Sequence, residues 1–93
     1  MMKKKIGILG STGSIGDNTV KIIQNNKKDF DVIFLSTNSN VKKLLKQCLI
    51  LKPRSVIIFN HKQYLKYKKK FLNKKINVFN SFKELKKKSL KKK

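Results

Sequence analysis

Three glycines and three hydroxyl residues lie together near the start of this chain, and their types and spacing could bind a phosphate group. The glycines stand at every third position, at Gly10, Gly13 and Gly16. The hydroxyl residues between them are Ser11, Thr12 and Ser14. A glycine removes the Cβ that would block a tight turn or keep a ligand away from the backbone. Free N–H groups at the start of a following helix would face the anion, and the hydroxyls could donate further hydrogen bonds.

The segments on either side of these glycines are those that phosphate binding requires. The apolar run at residues 5–10 predicts a buried strand, and apolar residues near helical spacing predict a helix over 14–26. A glycine turn between a first strand and a helix is the context of a dinucleotide-binding loop, although the usual G-x-G-x-x-G spacing has its middle glycine one residue earlier. We therefore predict that residues 10–16 bind the phosphates of a dinucleotide. The alternative is a tight turn without a ligand.

The rest of the chain continues the alternation of strands and helices. Further apolar runs predict strands at residues 30–36, 54–60 and 76–80. Helical patterns predict helices at residues 40–52, between Asn40 as N-cap and Pro53, and at 61–73. This order predicts an α/β fold, a Rossmann-like, doubly wound parallel sheet of about four strands. We expect it to be incomplete at its C-terminal edge, where the fourth strand would be exposed.

Residues 1–80 are predicted to form this dinucleotide-binding domain, and residues 81–93 a lysine-rich tail. Ser81 and Glu84 have the spacing of a capping box, so the tail could begin with a helical turn or two. The lysines that follow should repel one another.

The end of the second strand distinguishes between the two nicotinamide dinucleotides. An NAD site usually has an acidic residue there to hold the ribose hydroxyls, and residues 36–40, STNSN, contain none. Hydroxyls, amides, the start of the next helix and nearby Lys42 and Lys43 would instead accept a 2′-phosphate. We predict NADP(H) rather than NAD(H). The alternative is that this segment is only a polar loop.

The composition suggests a second class of function. Among 93 residues there are 25 lysines and arginines against 4 acids, for a formal charge of +21. Such a charge attracts nucleic acid or anionic surfaces, so a small basic binding protein is the alternative function. Arg54 is the one arginine, and specific nucleic-acid recognition usually employs arginine, so we expect no specific nucleic-acid partner. A single cysteine and the lack of a long apolar run predict a cytoplasmic chain without a membrane span.

Three segments in register resemble one enzyme family. GSTGSIG at residues 10–16, LSTNSNVKKLLKQ at 35–47 and KPRSVII at 52–58 are similar to the start of 1-deoxy-D-xylulose 5-phosphate reductoisomerases. The match covers about residues 5–60, weakens through 61–80 and is lost in the lysine-rich tail. It argues against another NADP oxidoreductase with a similar glycine turn, such as an aspartate-semialdehyde dehydrogenase.

The resemblance implies an NADPH-binding domain from an enzyme of non-mevalonate isoprenoid synthesis. That family converts 1-deoxy-D-xylulose 5-phosphate to 2-C-methyl-D-erythritol 4-phosphate with NADPH and a divalent metal, Mg or Mn. By motif position, the residues implied to contact the cofactor are Thr12, Gly13, Ser14, Ile15, Asn38, Ser39 and Asn40. Asn38 and Ser39 stand where a common family pattern has Gly-Lys, so one charge near the 2′-phosphate is missing, for which Lys42 or Lys43 could compensate.

The rest of the enzyme's chemistry has no counterpart in the sequence. The family's metal site is an Asp-x-Glu with a further Glu, and the four acids here, Asp17, Asp29, Asp31 and Glu84, form no such cluster. His61 is expected on the surface, and Cys48 in the core rather than as a nucleophile. We therefore expect no catalytic or metal-binding residue in this chain. It would be a fragment or part of a split gene, inactive alone, and not a homodimer as the family is.

Overall fold

The computed structural model describes residues 3–91 of the chain, with the side chains of residues 3–87. Four strands alternate with helices along the sequence. The strands are β1 (Lys4–Ile8), β2 (Phe30–Thr37), β3 (Ser55–Ile58) and β4 (Asn77–Phe79). The α-helices are α1 (Ser14–Gln24), α2 (Val41–Leu51), α3 (His61–Asn73) and α4 (Phe82–Lys91), and a 3-10 turn at Lys27–Asp29 precedes β2.

All the strand pairs are parallel, and the strands lie in the order β1-β2-β3-β4. The prediction of an α/β, Rossmann-like sheet is therefore confirmed. Among the described residues the sheet has two edges, β1 and β4. The sequence analysis predicted an exposed edge only at β4. Because parallel strands end on the same side of a sheet, the segments that follow β1 and β2 are neighbours.

The main core lies between one face of the sheet and the helices α1, α2 and α3. It contains Val20 and Ile23 of α1, Leu44 and Cys48 of α2, and Phe71 of α3, with strand residues such as Leu35, Val56 and Val78. Most of these side chains are less than 5% exposed. Burying them is the main favourable contribution to folding a chain of this size.

The opposite face of the sheet is covered by α4. Phe34 alternates with the core residue Leu35 along β2, so its ring lies on this second face. There it meets the ring of Phe82 edge to face, with centroids 5.7 Å apart. A Cβ on Gly7 of β1 would lie 2.0 Å from the ring of Phe34, so the ring occupies the space that a side chain on β1 would need. Helices therefore lie on both faces of the sheet within the described residues.

The predicted tail forms a longer helix than one or two turns, since α4 spans 10 residues. The capping box forms largely as predicted, because the N–H of Glu84 donates to Ser81 Oγ at 3.2 Å. The Glu84 carboxylate in turn accepts a hydrogen bond from the N–H of Asn80 at 2.7 Å. The last two residues of the predicted tail, Lys92 and Lys93, lie outside the described residues. No helix within residues 3–91 is long and apolar enough to cross a membrane.

The predicted helix ends on α2 are also confirmed. Asn40 is the N-cap, and its side chain accepts a hydrogen bond from the N–H of Lys43 at 3.3 Å. At the other end Lys52 adopts a left-handed conformation, with φ of 49°, and Pro53 follows it. The strand β1 ends two residues before its predicted end, because the turn towards α1 begins at Leu9.

Cys48 lies in the core, as predicted, and is 4% exposed. Burial raises the pKa of its thiol to about 12, and the charge of Lys74 lowers it only in part. A thiolate is the reactive form of cysteine, so this side chain is a poor nucleophile in the folded protein.

We predict that Cys48 resists alkylation in the folded chain. At pH 8 iodoacetamide should react at least about 100-fold more slowly than in 8 M urea, since both burial and the raised pKa suppress the thiolate. Mass spectrometry of timed samples measures both rates, and free glutathione in the same urea corrects for the effect of the solvent. Similar rates in the two conditions would mean that α2 does not pack on the sheet.

Candidate dinucleotide-binding site

The glycine turn connects β1 to α1 at the carboxyl edge of the sheet. Gly10 has a φ of +64°, which side-chain-bearing residues rarely adopt, and its carbonyl accepts a hydrogen bond from the N–H of Gly13 at 3.0 Å. Gly13 is the N-cap of α1 and offers no side chain to its first turn. The helical ladder begins where the N–H of Asp17 donates to the carbonyl of Gly13. The N–H groups of the three residues before Asp17 therefore face outward from the helix end.

Gly16 allows the start of α1 to lie directly on the turn. A Cβ at this position would lie 2.0 Å from the carbonyl oxygen of Gly10 and 2.7 Å from the Cα of Ser11. No side chain fits at such distances, so the glycine is required by the contact between helix and turn. The positive end of the α1 dipole is consequently fixed beside the turn, which favours a bound anion there.

Hydrogen bonds to the end of β2 hold the turn in place. The N–H of Gly10 donates to Ser36 Oγ at 2.8 Å, and the N–H of Ser11 donates to the carbonyl of Ser36 at 2.8 Å. The hydroxyls of Thr12 and Thr37 are also hydrogen bonded, with 2.6 Å between their oxygens. The turn and the end of β2 therefore form one connected unit.

A buried glutamine fastens the same turn to α2. Gln47 is 3% exposed, and its Nε2 donates to the carbonyl of Ser11 at 2.7 Å. Its Oε1 accepts a hydrogen bond from the hydroxyl of Ser11, also at 2.7 Å. Ser11 itself is completely buried. The expectation that its hydroxyl donates to a phosphate does not fit this position, because the hydroxyl points into the protein and is already hydrogen bonded there.

The second predicted segment divides into a buried part and an exposed part. Ser36 and Thr37 are buried and bonded to the glycine turn, so their hydroxyls do not face a ligand as the sequence suggested. Asn38, Ser39 and Asn40 are exposed at the start of α2. The carbonyl of Asn38 accepts a hydrogen bond from the N–H of Asn60, and the N–H of Asn40 donates to Thr37 Oγ1. The exposed residues thus have a fixed backbone.

Asp17 lies in the first turn of α1 and is surrounded by positive and polar groups. Its carboxylate lies 3.4 Å from the Nζ of Lys43 and 3.7 Å from that of Lys21, and accepts a hydrogen bond from Gln47. Burial alone would raise the pKa of Asp17. The hydrogen bond and charge of Lys43, the hydrogen bond from Gln47 and the charge of Lys21 outweigh it and hold the pKa below the ordinary 3.8. Lys43 is therefore engaged by Asp17, whereas Lys42 is exposed and has no ion pair within residues 3–91.

A shallow groove of about 410 Å³ runs along the outer side of the turn. It is lined by residues of β1, the turn and the first turn of α1, including Gly13, Ser14 and Ile15. Two apolar side chains on the groove face solvent, Leu9 at 63% exposed and Ile15 at 84%. A groove with open N–H groups and apolar walls can accept a phosphate that carries a flat or sugar-like group.

The structure brings the predicted residues together in two adjacent loops. Gly10, Thr12, Gly13, Ser14, Ile15 and Gly16 lie in or beside the turn, and Asn38, Ser39 and Asn40 lie at the start of α2. The contacts between these loops come from Ser36, Thr37 and Gln47, which the sequence did not assign to them. Gln47 lies on the apolar face of α2, and an amide on such a face is a signal that it bonds to another element. Within residues 3–91 there is no group of three His, Cys, Asp or Glu side chains that could hold a metal ion.

A family model for 1-deoxy-D-xylulose 5-phosphate reductoisomerase matches residues 6–91. The chain belongs to this reductoisomerase family. The match extends through α4, so the expectation that the resemblance is lost in the lysine-rich tail was wrong.

Reductoisomerases with sequences similar to this chain come from several bacteria. That of Pelagibacter ubique is 43% identical over 84 residues, which are 90% of this chain and 22% of the relative. That of Wigglesworthia glossinidia brevipalpis is 49% identical over 73 residues, or 77% of this chain and 18% of the relative. The chain therefore spans about a fifth of the length of the relatives it matches.

Solved reductoisomerase structures share the fold. The enzyme from Zymomonas mobilis in complex with NADPH has a TM-score of 0.78 and 27% identity, over 84% of this chain and 21% of that one. A reductoisomerase in complex with NADPH, fosmidomycin and magnesium also has a TM-score of 0.78, with 26% identity, over 88% of this chain and 20% of the other.

Replacing Gly16 with alanine should destabilise the chain by about 2 kcal/mol or more, because the new Cβ would overlap the backbone of the turn. Gly13→Ala is the matched control. Its Cβ would lie 3.5 Å from the carbonyl oxygen of Gly10, which is an ordinary contact, so we expect a loss of less than about 1 kcal/mol. Urea denaturation followed by circular dichroism measures both. Equal losses would mean that α1 does not lie against the turn.

The interactions of Asp17 should stabilise the protein above pH 3.8 and be lost below it. The pKa is lowered by folding, so the stabilisation is present while the carboxyl is ionised in both states and disappears as acid protonates it. The melting temperature of wild type should exceed that of Asp17→Asn by a constant amount from pH 6 to about 4.5. The difference should shrink as the pH falls further. A difference that stays constant down to pH 2.5 would contradict this assignment.

Proposed function

We propose that this chain is the NADPH-binding region of a 1-deoxy-D-xylulose 5-phosphate reductoisomerase. The glycine turn and the start of α1 would bind the pyrophosphate, and Asn38, Ser39 and Asn40 would bind the 2′-phosphate of the adenosine. The observation that carries the proposal is the position of two helix N-termini. Those of α1 and α2 lie side by side at one edge of the sheet, and the exposed loop before α2 contains no acidic residue.

The pyrophosphate part depends on backbone groups more than on side chains. The N–H groups of Ser14, Ile15 and Gly16 precede the hydrogen-bond ladder of α1 and are aligned with its dipole. The N-cap Gly13 leaves the approach to them open. The hydroxyl of Ser14 is on the exposed side and could add a donor, and the exposed Ile15 could pack against the sugar or ring of the ligand. Gly10 and Gly16 would serve by shaping the turn, and Ser11 by holding it from within.

The 2′-phosphate part combines a helix start with neutral donors and one available lysine. The amide and hydroxyl side chains at residues 38–40 can donate to phosphate oxygens without repelling the charge. Lys42 lies in the first turn of α2 and is exposed, so its ammonium could reach a phosphate at this helix start. Lys43 is less available because Asp17 already holds it. Lys42 is therefore our candidate for the charge that the family pattern supplies from the position of Ser39.

The activity of the whole enzyme extends beyond these residues. In a complete reductoisomerase we propose conversion of 1-deoxy-D-xylulose 5-phosphate to 2-C-methyl-D-erythritol 4-phosphate, with a divalent metal and within a homodimer. The bound NADPH supplies the hydride for the reduction. The described residues would bind and orient the cofactor, and the metal ligands and substrate contacts would belong to the remaining four fifths of such an enzyme.

We also propose that residues 1–80 act as the cofactor-binding unit and that residues 81–93 are a separate tail, whose described helix, α4, lies on the second face of the sheet. The contact of Phe82 with Phe34 supports this division of roles.

A cytoplasmic location is the last part of the proposal. It is supported by the single cysteine, which is buried and free.

Titration with both dinucleotides tests the cofactor assignment. NADPH should bind at least about tenfold more tightly than NADH, which corresponds to about 1.4 kcal/mol from the 2′-phosphate. It should also raise the melting temperature of the chain. Isothermal calorimetry and thermal denaturation at fixed salt measure the two effects. Tighter binding of NADH would refute the assignment. Steeply salt-dependent binding to duplex DNA without any effect of NADPH would instead favour the basic binding protein.

Lys42→Ala tests the proposed contact with the 2′-phosphate. We expect NADPH affinity to fall about three- to tenfold while NADH affinity is unchanged, because only NADPH carries that phosphate. Lys69→Ala, an exposed lysine on α3, removes the same charge away from the site and serves as the control. An equal loss in both variants would indicate general charge attraction and not a specific contact.

A further inference from the structure

Gln47 is the side chain that joins the two halves of the proposed site through the interior. It lies on α2, 3% exposed, and makes hydrogen bonds with both the carbonyl and the hydroxyl of Ser11 at 2.7 Å. The same Nε2 also approaches the carboxylate of Asp17 on α1 at 3.3 Å. One amide therefore contacts the turn, α1 and α2 together.

The position of Gln47 along α2 gives these contacts a consequence for the exposed loop. Asn40 is the N-cap of α2, and Gln47 lies seven residues later, which is two helical turns or about 10 Å. An α-helix of this length is rigid. Whatever fixes Gln47 against Ser11 also fixes the distance between the glycine turn and the start of α2.

The other connections of the turn do not replace this one. Ser36 and Thr37 bind the turn to the end of β2, and Thr37 Oγ1 also accepts a hydrogen bond from the N–H of Asn40, so these contacts hold the N-cap of α2 but do not reach the body of the helix. The pair between Lys43 and Asp17 does connect the two helices, but Lys43 is partly exposed and its side chain is long. The contact between Gln47 and Ser11 is buried and consists of two hydrogen bonds. Losing it would leave the carbonyl of Ser11 without this partner inside the protein, while the hydroxyl would keep only its hydrogen bond to the carbonyl of Ser36 at 3.2 Å.

We propose that Gln47 is a positioning residue that sets the spacing between the pyrophosphate turn and the 2′-phosphate loop, and that the preference for NADPH over NADH depends on it. The inference rests on the proposed function. A ligand that spans both loops gains from the 2′-phosphate only if both loops are held at the right separation. The affinity for NADH, or for a ligand that contacts one loop only, would depend less on that spacing.

Gln47→Met keeps the length and volume of the side chain and removes its hydrogen bonds. The preference, measured as the ratio of the dissociation constants for NADH and NADPH, should fall at least about threefold from its wild-type value. Affinity for adenosine 2′-monophosphate, which carries the 2′-phosphate but no 5′-phosphate and so reaches only the 2′-phosphate loop, should stay within about twofold of wild type. Isothermal calorimetry on the full chain provides all three constants.

Two further variants separate positioning from simple loss of stability. Phe71→Leu removes volume from the core on α3, away from both loops, and should lower the melting temperature without changing the ratio. Ser11→Ala removes the hydrogen bonds from the Ser11 hydroxyl to Gln47 and to the carbonyl of Ser36, and keeps the one from Gln47 to the carbonyl of Ser11. It should lower the ratio by less than Gln47→Met, and the double variant should resemble Gln47→Met alone, because the two side chains act through one contact.

The proposal is overturned if Gln47→Met weakens NADPH and NADH by the same factor, or if Phe71→Leu lowers the ratio equally. A wild-type chain that binds neither dinucleotide would refute the proposed function. In that case hydrogen exchange, which needs no ligand, tests whether Gln47 positions the turn. If Gln47 positions the turn, Gln47→Met speeds exchange at Gly10, Ser11 and Gly13 at least about tenfold more than in β3, and a uniform increase would overturn the proposal.

Discussion

Ser36 is the residue on which the arrangement at the carboxyl edge depends. Its hydroxyl and its carbonyl accept hydrogen bonds from the N–H groups of Gly10 and Ser11, which have left the ladder of β1 and need other partners. The turn can therefore curve away from the sheet and still have its donors satisfied. The start of α1 can lie against the turn only because the turn is held in this way, and α2 follows directly from the same end of β2.

The fold could be predicted from the sequence because its signals are local. Strands such as β2 are dense in Val, Ile and Phe, and the ends of α2 are marked by Asn40 and Pro53. The glycine spacing located the turn, and the missing acid after β2 located the second loop. In each case the residues that carry the signal lie within a few positions of the structure that they specify.

The direction of individual side chains could not be predicted in the same way. The pattern around the glycines predicted equal roles for the three hydroxyls, but Ser11 points inward to Gln47, which lies 36 residues away along the chain. Thr12 meets Thr37 across 25 residues. Such contacts depend on how two helices pack on a sheet. The length of α4 was underestimated for a similar reason. Its abundant lysines favour a frayed tail, and its contact with the sheet, which stabilises it, is not visible in the local sequence.

The space that Gly7 leaves for the ring of Phe34 separates the four glycines into two groups with different tasks. Gly10, Gly13 and Gly16 serve the edge where the strands end, and Gly7 serves the packing of α4 on the far side of the sheet. A substitution at Gly7 would therefore affect the packing of α4 on the sheet, and its effect would not depend on which nucleotide is bound. In a genetic screen the two groups should fall into separate classes, one recovered by compensating changes near Phe82 and the other not.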